Sequence, residues 1–310
     1  AVYQLVDSRY TEAARLHAAD TGVHVTEITT GFWDELDALL AKIDCKILLF
    51  EDRTIAYRQY TQLQGIFSGE LRPVGNGVMD LRNVKEPWEI DLMKTANRIA
   101  EKAFLELLND VKPGKTEKEL AARFDYLMAL GGSDGVSFDT ILLTGAHTSM
   151  PHGVPENREV QKGDFVLFDF GATYRGYHSD MTRTVAVGSA TAEMQAAYDL
   201  VLRAQLAGIQ ALHAGVPCKV VYQAAYDVLA AEDKAQYFRH SLGHGVGLEI
   251  HEGYNASPRS GDVYQTGNVT SMEPGIYLPD KFGIRIEDVL YLSPHGRENL
   301  SNVTKKLIVL

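Results

Sequence analysis

The chain has 310 residues, of which 45% are hydrophobic and 23% charged, and its formal net charge is −11. This length exceeds one ordinary core and predicts two domains, while the composition excludes a disordered chain. The acidic charge argues against a nucleic-acid partner, and no apolar run approaches the ~20 residues that span a bilayer, so we expect no membrane partner.

The first 79 residues are predicted to form a small α/β domain. Their apolar spacing indicates two helices and two strands, at residues 10–19 and 32–43 and at residues 2–5 and 46–50 respectively. Pro73, Gly75 and Gly77 then predict a linker.

Residues 80–310 are predicted to form a second domain of the α+β class. Thr116, with Glu119 three residues later, forms a capping-box pattern that begins a helix. The predicted elements are, in order, helices at 86–108 and 116–130, strands at 137–143, 165–170 and 181–187, helices at 192–214 and 219–232, and strands at 268–278, 282–292 and 306–310. Two helices followed by strands occur twice, which indicates a duplicated architecture.

The cysteines and the first residues bear on the compartment. Cys45 and Cys218 are far apart and lack metal-type spacing, which favours buried free thiols over a disulfide. Residues 1–5 show no basic segment followed by a long apolar one, so no signal peptide is visible. We therefore expect a cytoplasmic protein.

Asp169 and Asp180 are the first candidate site residues. A hairpin centred between Tyr174 and Arg175 would place them directly opposite each other, on one face of two antiparallel strands. The strand that carries Asp169 is otherwise apolar, so the two carboxylates would repel each other strongly. Either one of them holds a proton, or a cation lies between them.

Glu273 and Glu287 repeat this arrangement. A hairpin centred on Asp280 would place them opposite each other, again with apolar neighbours. Unpaired buried charge is costly, so four acidic residues at apolar strand positions are difficult to explain by structure alone. Their pairing favours a site for divalent cations.

A glycine-rich segment at 240–252 supplies a neutral ligand. Gly243 and Gly245 flank His244 and let the backbone approach closely, and His240 and His251 lie in the same segment. Four carboxylates and one imidazole balance the charge of two dications, and hard oxygen ligands suit Mn²⁺ more than a thiolate-loving metal. Two such ions would share a water molecule and lower its pKa towards ~7.

These residues together resemble the pita-bread metallopeptidases, which include aminopeptidase P, prolidase and methionine aminopeptidase. The resemblance covers residues 80–310, and segment 240–252, HSLGHGVGLEIHE, is similar to the proline-peptidase signature at each position. The family's ligand order of Asp, Asp, His, Glu and Glu falls here on Asp169, Asp180, His244, Glu273 and Glu287. The resemblance implies a two-metal exopeptidase that cleaves the Xaa-Pro bond in peptides or dipeptides.

The resemblance also implies how the metal ligands divide. Asp169 and Asp180 would mainly hold one ion, His244 and Glu273 would hold the other, and Asp180 and Glu287 would bridge the two. We expect Mn²⁺ first, with Co²⁺ or Zn²⁺ as alternatives.

The remaining roles follow from the same resemblance. Glu273 would also accept the proton of the attacking water, and His152 and His251 match the family's two catalytic histidines. His240 matches a histidine of the substrate pocket. Arg285 matches an arginine beside the metal cluster, although the residues alone favour a plain salt bridge equally.

Two regions bear on substrate size. Residues 1–79 are similar to the later part of the creatinase-type N-terminal domain, which would therefore be truncated here. Many family members have proline two residues after the position of Glu252, where this chain has Tyr254. We expect this loop to lie beside the pocket and to influence which substrates fit.

Three alternatives remain within the family. A methionine aminopeptidase has similar ligands but generally lacks the N-terminal domain, and a creatinase works without metal. A non-catalytic binding scaffold is the third, but such relatives have lost ligands that are all present here. The family is commonly oligomeric, so we expect a homodimer or homotetramer.

Overall fold

Two units, Ala1–Val78 and Met79–Leu310, make up the computed structural model, which describes residues 1–310. The boundary between them lies one residue before the expected position. Each unit contains both helices and strands, and the second one carries all the candidate site residues. The fold class is therefore α+β, as predicted.

The first unit contains two pairs of parallel strands with helices between them. Its strands are β1 (Val2–Val6), β2 (Val23–Glu27), β3 (Ile47–Phe50) and β4 (Glu70–Pro73), and its helices are α1 (Thr11–Ala18), α2 (Phe32–Lys42) and α3 (Tyr57–Ile66). β1 pairs with β2 and β3 with β4, and a helix crosses over within each pair. Leu40, Leu63 and Phe67 form the small core. The four predicted elements are present, whereas β2, α3 and β4 were not predicted.

The helices from the boundary onward are one short helix followed by two pairs. They are α4 (Gly77–Asn83), which begins at the boundary, and then α5 (Pro87–Leu107), α6 (Glu117–Leu130), α7 (Ala192–Ala211) and α8 (Cys218–Ala230). Thr116 Oγ1 accepts a hydrogen bond from the Glu119 backbone N–H at 3.2 Å, and the Glu119 carboxylate accepts one from the Thr116 N–H at 2.8 Å. This capping box begins α6 as predicted. None of the helices is both long and apolar enough to cross a membrane.

The strands of the second unit are antiparallel. They are β5 (Gly135–Val136), β6 (Ile141–Thr144), β7 (Phe165–Phe170), β8 (Ala172–Tyr174), β9 (Tyr177–His178), β10 (Met181–Ala186), β11 (Gly243–Gly245), β12 (Glu252–Ala256), β13 (Val269–Met272), β14 (Gly275–Leu278), β15 (Phe282–Arg285), β16 (Asp288–Ser293) and β17 (Gly296–Asn299). Their sheet orders are β10-β7-β6, β5-β8-β9, β12-β11-β13-β16-β17 and β14-β15.

Several predicted strands are interrupted. The expected strand at 268–278 divides into β13 and β14 around Glu273, and the one at 282–292 divides into β15 and β16 around Glu287. Of the strand expected at 137–143, only residues 141–143 are extended, as the first part of β6. The strand expected at 306–310 is wrong, because Val309 makes only an isolated bridge to Ala186.

Each helix pair covers strands of its own half. In the first half, Phe104 of α5 stacks on Phe170 of β7, with ring centroids 5.3 Å apart, and Phe124 of α6 packs on the same ring. In the second half, Val201 of α7 and Val221 of α8 are buried in one cluster with residues of β14 and β15. The element order agrees with the predicted duplication. Both cysteines are free thiols, as expected, but only Cys218 is buried, whereas Cys45 is half-buried.

Candidate metal centre and active site

Asp169 lies near the end of β7, but the expected pairing with Asp180 is wrong. In the structure Asp169 is opposite Thr182 of β10, and Asp180 precedes that strand. The reason is the turn, which consists of Arg175 and Gly176 with φ values of 50° and 83°. A two-residue hairpin turn with two positive φ values needs glycine-like freedom, so the turn centres one position later than expected. The pairing shifts by two residues, which preserves the side-chain face, and both carboxylates line one cavity.

The hairpin of β14 and β15 has the predicted register. Gly275 is opposite Arg285 and Leu278 is opposite Phe282, which centres the hairpin on Asp280. Asp280 itself has a φ of 60°, a conformation that short polar residues tolerate. Glu273 and Glu287 lie two residues beyond the last pair, where the strands have been interrupted. Their side chains face the same cavity as the two aspartates.

His244 brings these carboxylates together. Its Nε2 atom lies 3.5 Å from Asp180 Oδ2 and 3.4 Å from Glu273 Oε1. Asp180, His244 and Glu287 each offer one ligand atom, and these atoms lie within 4.8 Å of one another. A Cβ atom at Gly243 would lie 2.0 Å from the Ser271 carbonyl oxygen. Only glycine therefore permits β11, which carries His244, to approach β13 this closely.

The carboxylates carry more negative charge than the site can balance. Burial, reinforced by the nearby Asp169, raises the pKa of Asp180 well above its ordinary value, and burial likewise raises the pKa of Glu273 to about 8. Burial, reinforced by Asp180, raises the pKa of Glu287 well above its usual range. Asp169 Oδ1 and Glu287 Oε1 are buried without a hydrogen-bond partner. These residues therefore fit divalent cations, which would bind the free oxygens and balance the charge.

The imidazole of His244 is prepared to act as a neutral ligand. Burial lowers its pKa to about 3, so the ring is uncharged at neutral pH. Its Nδ1 atom lies 3.1 Å from the Gly245 carbonyl oxygen, to which it can only donate. This tautomer leaves the lone pair of Nε2 facing Asp180 and Glu273, as a metal-binding histidine requires.

Arg285 connects the two halves of the site. Its Nη2 atom donates to Asp169 Oδ2 at 2.5 Å and its Nε atom donates to Thr182 Oγ1 at 3.1 Å. Thr182 in turn donates to Glu287 Oε2 at 2.7 Å, and the Arg285 Nη1 atom donates to the Tyr277 hydroxyl at 2.8 Å. Sequence reasoning missed Thr182 and Tyr277. The available signal was strand alternation, because Thr182 follows Asp180 by two positions.

The remaining candidate histidines face the same space. The ring of His251 packs edge-on against that of His244, with centroids 4.0 Å apart. His240 Nδ1 donates to the Ser241 carbonyl at 2.8 Å, so its Nε2 accepts from the Tyr277 hydroxyl at 2.8 Å. Burial lowers the pKa of His240 to about 3 and also lowers the pKa of His251.

All nine predicted site residues line one cavity of about 540 Å³. They are His152, Asp169, Asp180, His240, His244, His251, Glu273, Arg285 and Glu287. Arg285 is the one arginine or lysine side chain among the lining residues. The arrangement combines four carboxylates with four histidine side chains, which is chemistry suited to metal-assisted hydrolysis.

The loop that carries Tyr254 borders the cavity, as expected, but Tyr254 itself does not line it. Its side chain is buried away from the cavity, where the hydroxyl donates to the Val269 carbonyl at 2.8 Å and the ring packs edge-on against Tyr264. Alternation along β12 explains this, because successive side chains point to opposite faces. The neighbouring Asn255 lines the cavity instead.

Comparisons with known proteins agree with this geometry. Residues 91–294 match the model of metallopeptidase family M24. An uncharacterized peptidase of Bacillus subtilis is 36% identical over 307 residues, covering 99% of this chain and 86% of that protein. The Xaa-Pro dipeptidase of Pyrococcus horikoshii is 37% identical over 239 residues, covering 77% of this chain and 68% of that protein.

Solved structures give the same assignment. The Xaa-Pro dipeptidase from Bacillus anthracis has a TM-score of 0.94 at 35% identity, covering 99% of this chain and 86% of that chain. The X-Pro aminopeptidase from Thermotoga maritima has a TM-score of 0.93 at 35% identity, covering 99% of this chain and 87% of that chain. The predicted family is therefore confirmed: this chain belongs to metallopeptidase family M24, has the pita-bread fold and is a metal-dependent hydrolase.

Proposed function

We propose that this metallopeptidase is an exopeptidase for the Xaa-Pro bond, at the N-terminus of peptides or in dipeptides. One observation carries the proposal: four carboxylates and a neutral imidazole face a single cavity in which Arg285 is the one arginine or lysine side chain. The similarity to proteins described as Xaa-Pro dipeptidase and X-Pro aminopeptidase supports proline specificity.

Two divalent cations are the proposed cofactors, with Mn²⁺ preferred over Co²⁺ or Zn²⁺ because most ligands are hard oxygens. Asp169 and Asp180 would mainly hold one ion, His244 and Glu273 the other, and Asp180 and Glu287 both. When bound, such ions supply Lewis acidity, which lowers the pKa of water and polarises a carbonyl group.

The chain's own residues would orient the substrate and move its protons. Glu273 would accept the proton of the attacking water, since its Oε1 and Oε2 atoms lie 3.4 Å from His244 Nε2 and 3.8 Å from His240 Nδ1, inside the cavity. His251 and His152 would donate hydrogen bonds to the peptide oxygen as negative charge develops there. Arg285 would hold Asp169 in place through their 2.5 Å contact.

Proline suits this arrangement for a simple chemical reason. The bond before proline is a tertiary amide and has no N–H to satisfy. A pocket that offers no acceptor to that position loses nothing when proline occupies it, whereas any other residue would bury an unpaired donor.

Three further proposals concern the context of the site. We propose that the first unit, residues 1–79, is related to the creatinase-type N-terminal domain, that the protein is cytoplasmic, and that it forms a homodimer or homotetramer. Free Cys45 and Cys218 are consistent with a reducing compartment.

The first experiment compares the hydrolysis of Ala-Pro and Ala-Pro-Ala with that of Ala-Ala-Ala and Met-Ala-Ala, with added Mn²⁺ and after chelation. We expect metal-dependent cleavage of the proline peptides alone, and the ratio of dipeptide to tripeptide cleavage names the subtype. Cleavage of only the Met peptide would instead assign a methionine aminopeptidase, and no cleavage with any metal would favour a scaffold.

A second experiment tests the role of Glu273. We expect Glu273→Gln to lower kcat by about 10²–10⁴-fold, because the amide cannot accept the proton, while the fold is retained. Circular dichroism and kinetics measure the two effects. Glu193→Gln, at an exposed ion pair with Lys281, is the matched control and should behave as the parent. Near-normal turnover in Glu273→Gln would remove Glu273 from the mechanism.

A further inference from the structure

The segment that carries His152 is fixed by a buried carboxylate outside the cavity. Glu117, in the first turn of α6, is completely buried. Its Oε1 atom accepts a hydrogen bond from the Thr144 backbone N–H at 2.8 Å, and its Oε2 atom accepts one from the Glu156 N–H at 2.8 Å. Thr144 precedes His152 and Glu156 follows it, so one side chain holds both ends of segment 144–156.

His147 connects this carboxylate to the backbone beside His152. The His147 Nδ1 atom lies 2.9 Å from both carboxylate oxygens of Glu117, and the imidazole is 5% exposed. On the other side of the ring, Nε2 lies 3.3 Å from the position that a Cβ atom would occupy at Gly153. The ring therefore packs against the residue that directly follows His152.

Contacts from the second half of the fold complete the arrangement. Arg285 Nη1 donates to the Pro151 carbonyl oxygen at 3.3 Å, and Thr148 Oγ1 accepts from the Gly283 N–H at 2.7 Å. Each neighbour of His152 is thus in contact with a buried side chain, Pro151 with Arg285 and Gly153 with His147.

We propose that Glu117 and His147 are positioning residues that set where the His152 imidazole stands in the cavity. The inference rests on the proposed function, in which His152 contacts the substrate. A buried carboxylate that accepts from two distant backbone N–H groups and an imidazole fixes the ends and the middle of one segment. A small displacement of a catalytic group lowers the rate much more than it weakens substrate binding.

The test uses the full-length, Mn²⁺-loaded protein and the proline peptide that it cleaves best. We expect His147→Leu to lower kcat by about 10–100-fold with KM changed less than about threefold, because the segment loses its central contact. His147→Asn should restore kcat to within about threefold of the parent, since the asparagine Nδ2 can donate to Glu117 from the position of Nδ1. Bound metal should be unchanged in both variants.

Two controls isolate the positioning effect. Arg158→Ala removes an exposed ion pair with Glu156 in the same region and should leave kcat unchanged. In the double variant His147→Leu/His152→Ala, the loss should be less than the product of the single losses, because both act through one imidazole. The proposal is overturned if the loss of kcat in the double variant equals the product of the two single losses, or if His147→Leu leaves kcat unchanged. If His147→Leu does not fold, His147→Gln, which moves the donor by one methylene, replaces it.

Hydrogen exchange separates this proposal from the proposed function. Faster backbone exchange of residues 144–156 in His147→Leu than in the parent supports the positioning role, and equal exchange overturns it. If the parent cleaves no proline peptide, the proposed function fails, and the exchange comparison still decides whether the contact of His147 with Glu117 holds the segment.

Discussion

Two adjacent carboxylates, Glu287 and Asp288, are both buried yet have opposite electrostatics. Burial, reinforced by Asp180, raises the pKa of Glu287 well above its usual range. Burial alone would also raise the pKa of Asp288, but Arg183 and Lys305 outweigh it and hold that pKa below its ordinary value. One acid is therefore left without a cation, and the next one along the chain already has two.

The hydrogen bonds agree with this difference. Asp288 Oδ1 accepts from Arg183 Nη2 and its Oδ2 accepts from Lys305 Nζ, both at 2.8 Å, while Gln205 and Asn299 donate to Oδ2 as well. Glu287 has one oxygen on Thr182 and the other without any partner. The protein balances one buried charge with its own side chains and leaves the other for a metal ion, so unbalanced charge, rather than burial, marks the site.

Removing the unbalanced carboxylate is expected to have the largest effect. Glu287→Gln should lower activity by about 10³-fold or more, since losing a ligand costs more than the roughly 10–100-fold of an outer contact. Bound metal, measured by elemental analysis after gel filtration, should also decrease. The metal-free variant should be at least as stable as the metal-free parent, because the change removes charge repulsion.

The comparison with Asp288→Asn makes this prediction specific. That variant should retain its bound metal, because Asp288 faces Arg183 and Lys305 rather than the cavity. Equal metal loss in the two variants would mean that Glu287 and Asp288 do not differ in the way their surroundings indicate.

The balanced carboxylate should matter for stability instead. Breaking a buried ion pair costs about 3–5 kcal/mol, so Asp288→Asn should lower the Tm of the protein by roughly 10 °C. Differential scanning calorimetry measures the change. The control Glu193→Gln, at an exposed pair whose side chains are both 58% exposed, should shift Tm by less than about 2 °C. A similar Tm in the two variants would contradict the role of the buried network.

Part of the arrangement of the acidic side chains in the site could be predicted from the sequence. The apolar neighbours of Glu273 and Glu287 and the hairpin centred on Asp280 were sufficient to bring those two acids together. The first hairpin was placed incorrectly because the turn was assigned to Tyr174 and Arg175, although Gly176 favours a turn one position later. Local chemistry thus predicts which side chains share a face, whereas turn geometry decides the register.

The supporting residues could not be predicted in the same way. Arg183 and Asp288 are separated by 105 positions, and Glu117 and His147 by 30. No periodic pattern links such pairs, since they meet only after the sheets and helices have packed. The contact between His147 and Glu117 is therefore visible only in the folded chain.

The smallest predicted effect is a pH dependence of stability in the metal-free protein. In the metal-free protein, Glu273 has a pKa of about 8, and Asp180 and Glu287 are raised well above their ordinary values. The folded state therefore keeps protons that the unfolded chain has released, and the free energy of unfolding falls as pH rises through the folded pKa. The lowered pKa values of His240 and His244 act in the opposite direction, but only below about pH 6.5, where the unfolded histidines become charged.

Between pH 7 and 8.5 the carboxylates of the site, rather than the histidines, thus determine how the free energy of unfolding changes with pH. We expect the Tm of the chelated protein to fall by about 2–4 °C across this interval, whereas the Mn²⁺-loaded protein, in which the metal has displaced the protons, should show a smaller change. Asp288, whose pKa is lowered, is ionised in both states throughout and contributes nothing there. Glu287→Gln should reduce the slope of the chelated protein and Asp288→Asn should leave it intact. A Tm that is constant or rises in the chelated parent would mean that the carboxylates at the cavity do not share protons in the absence of metal.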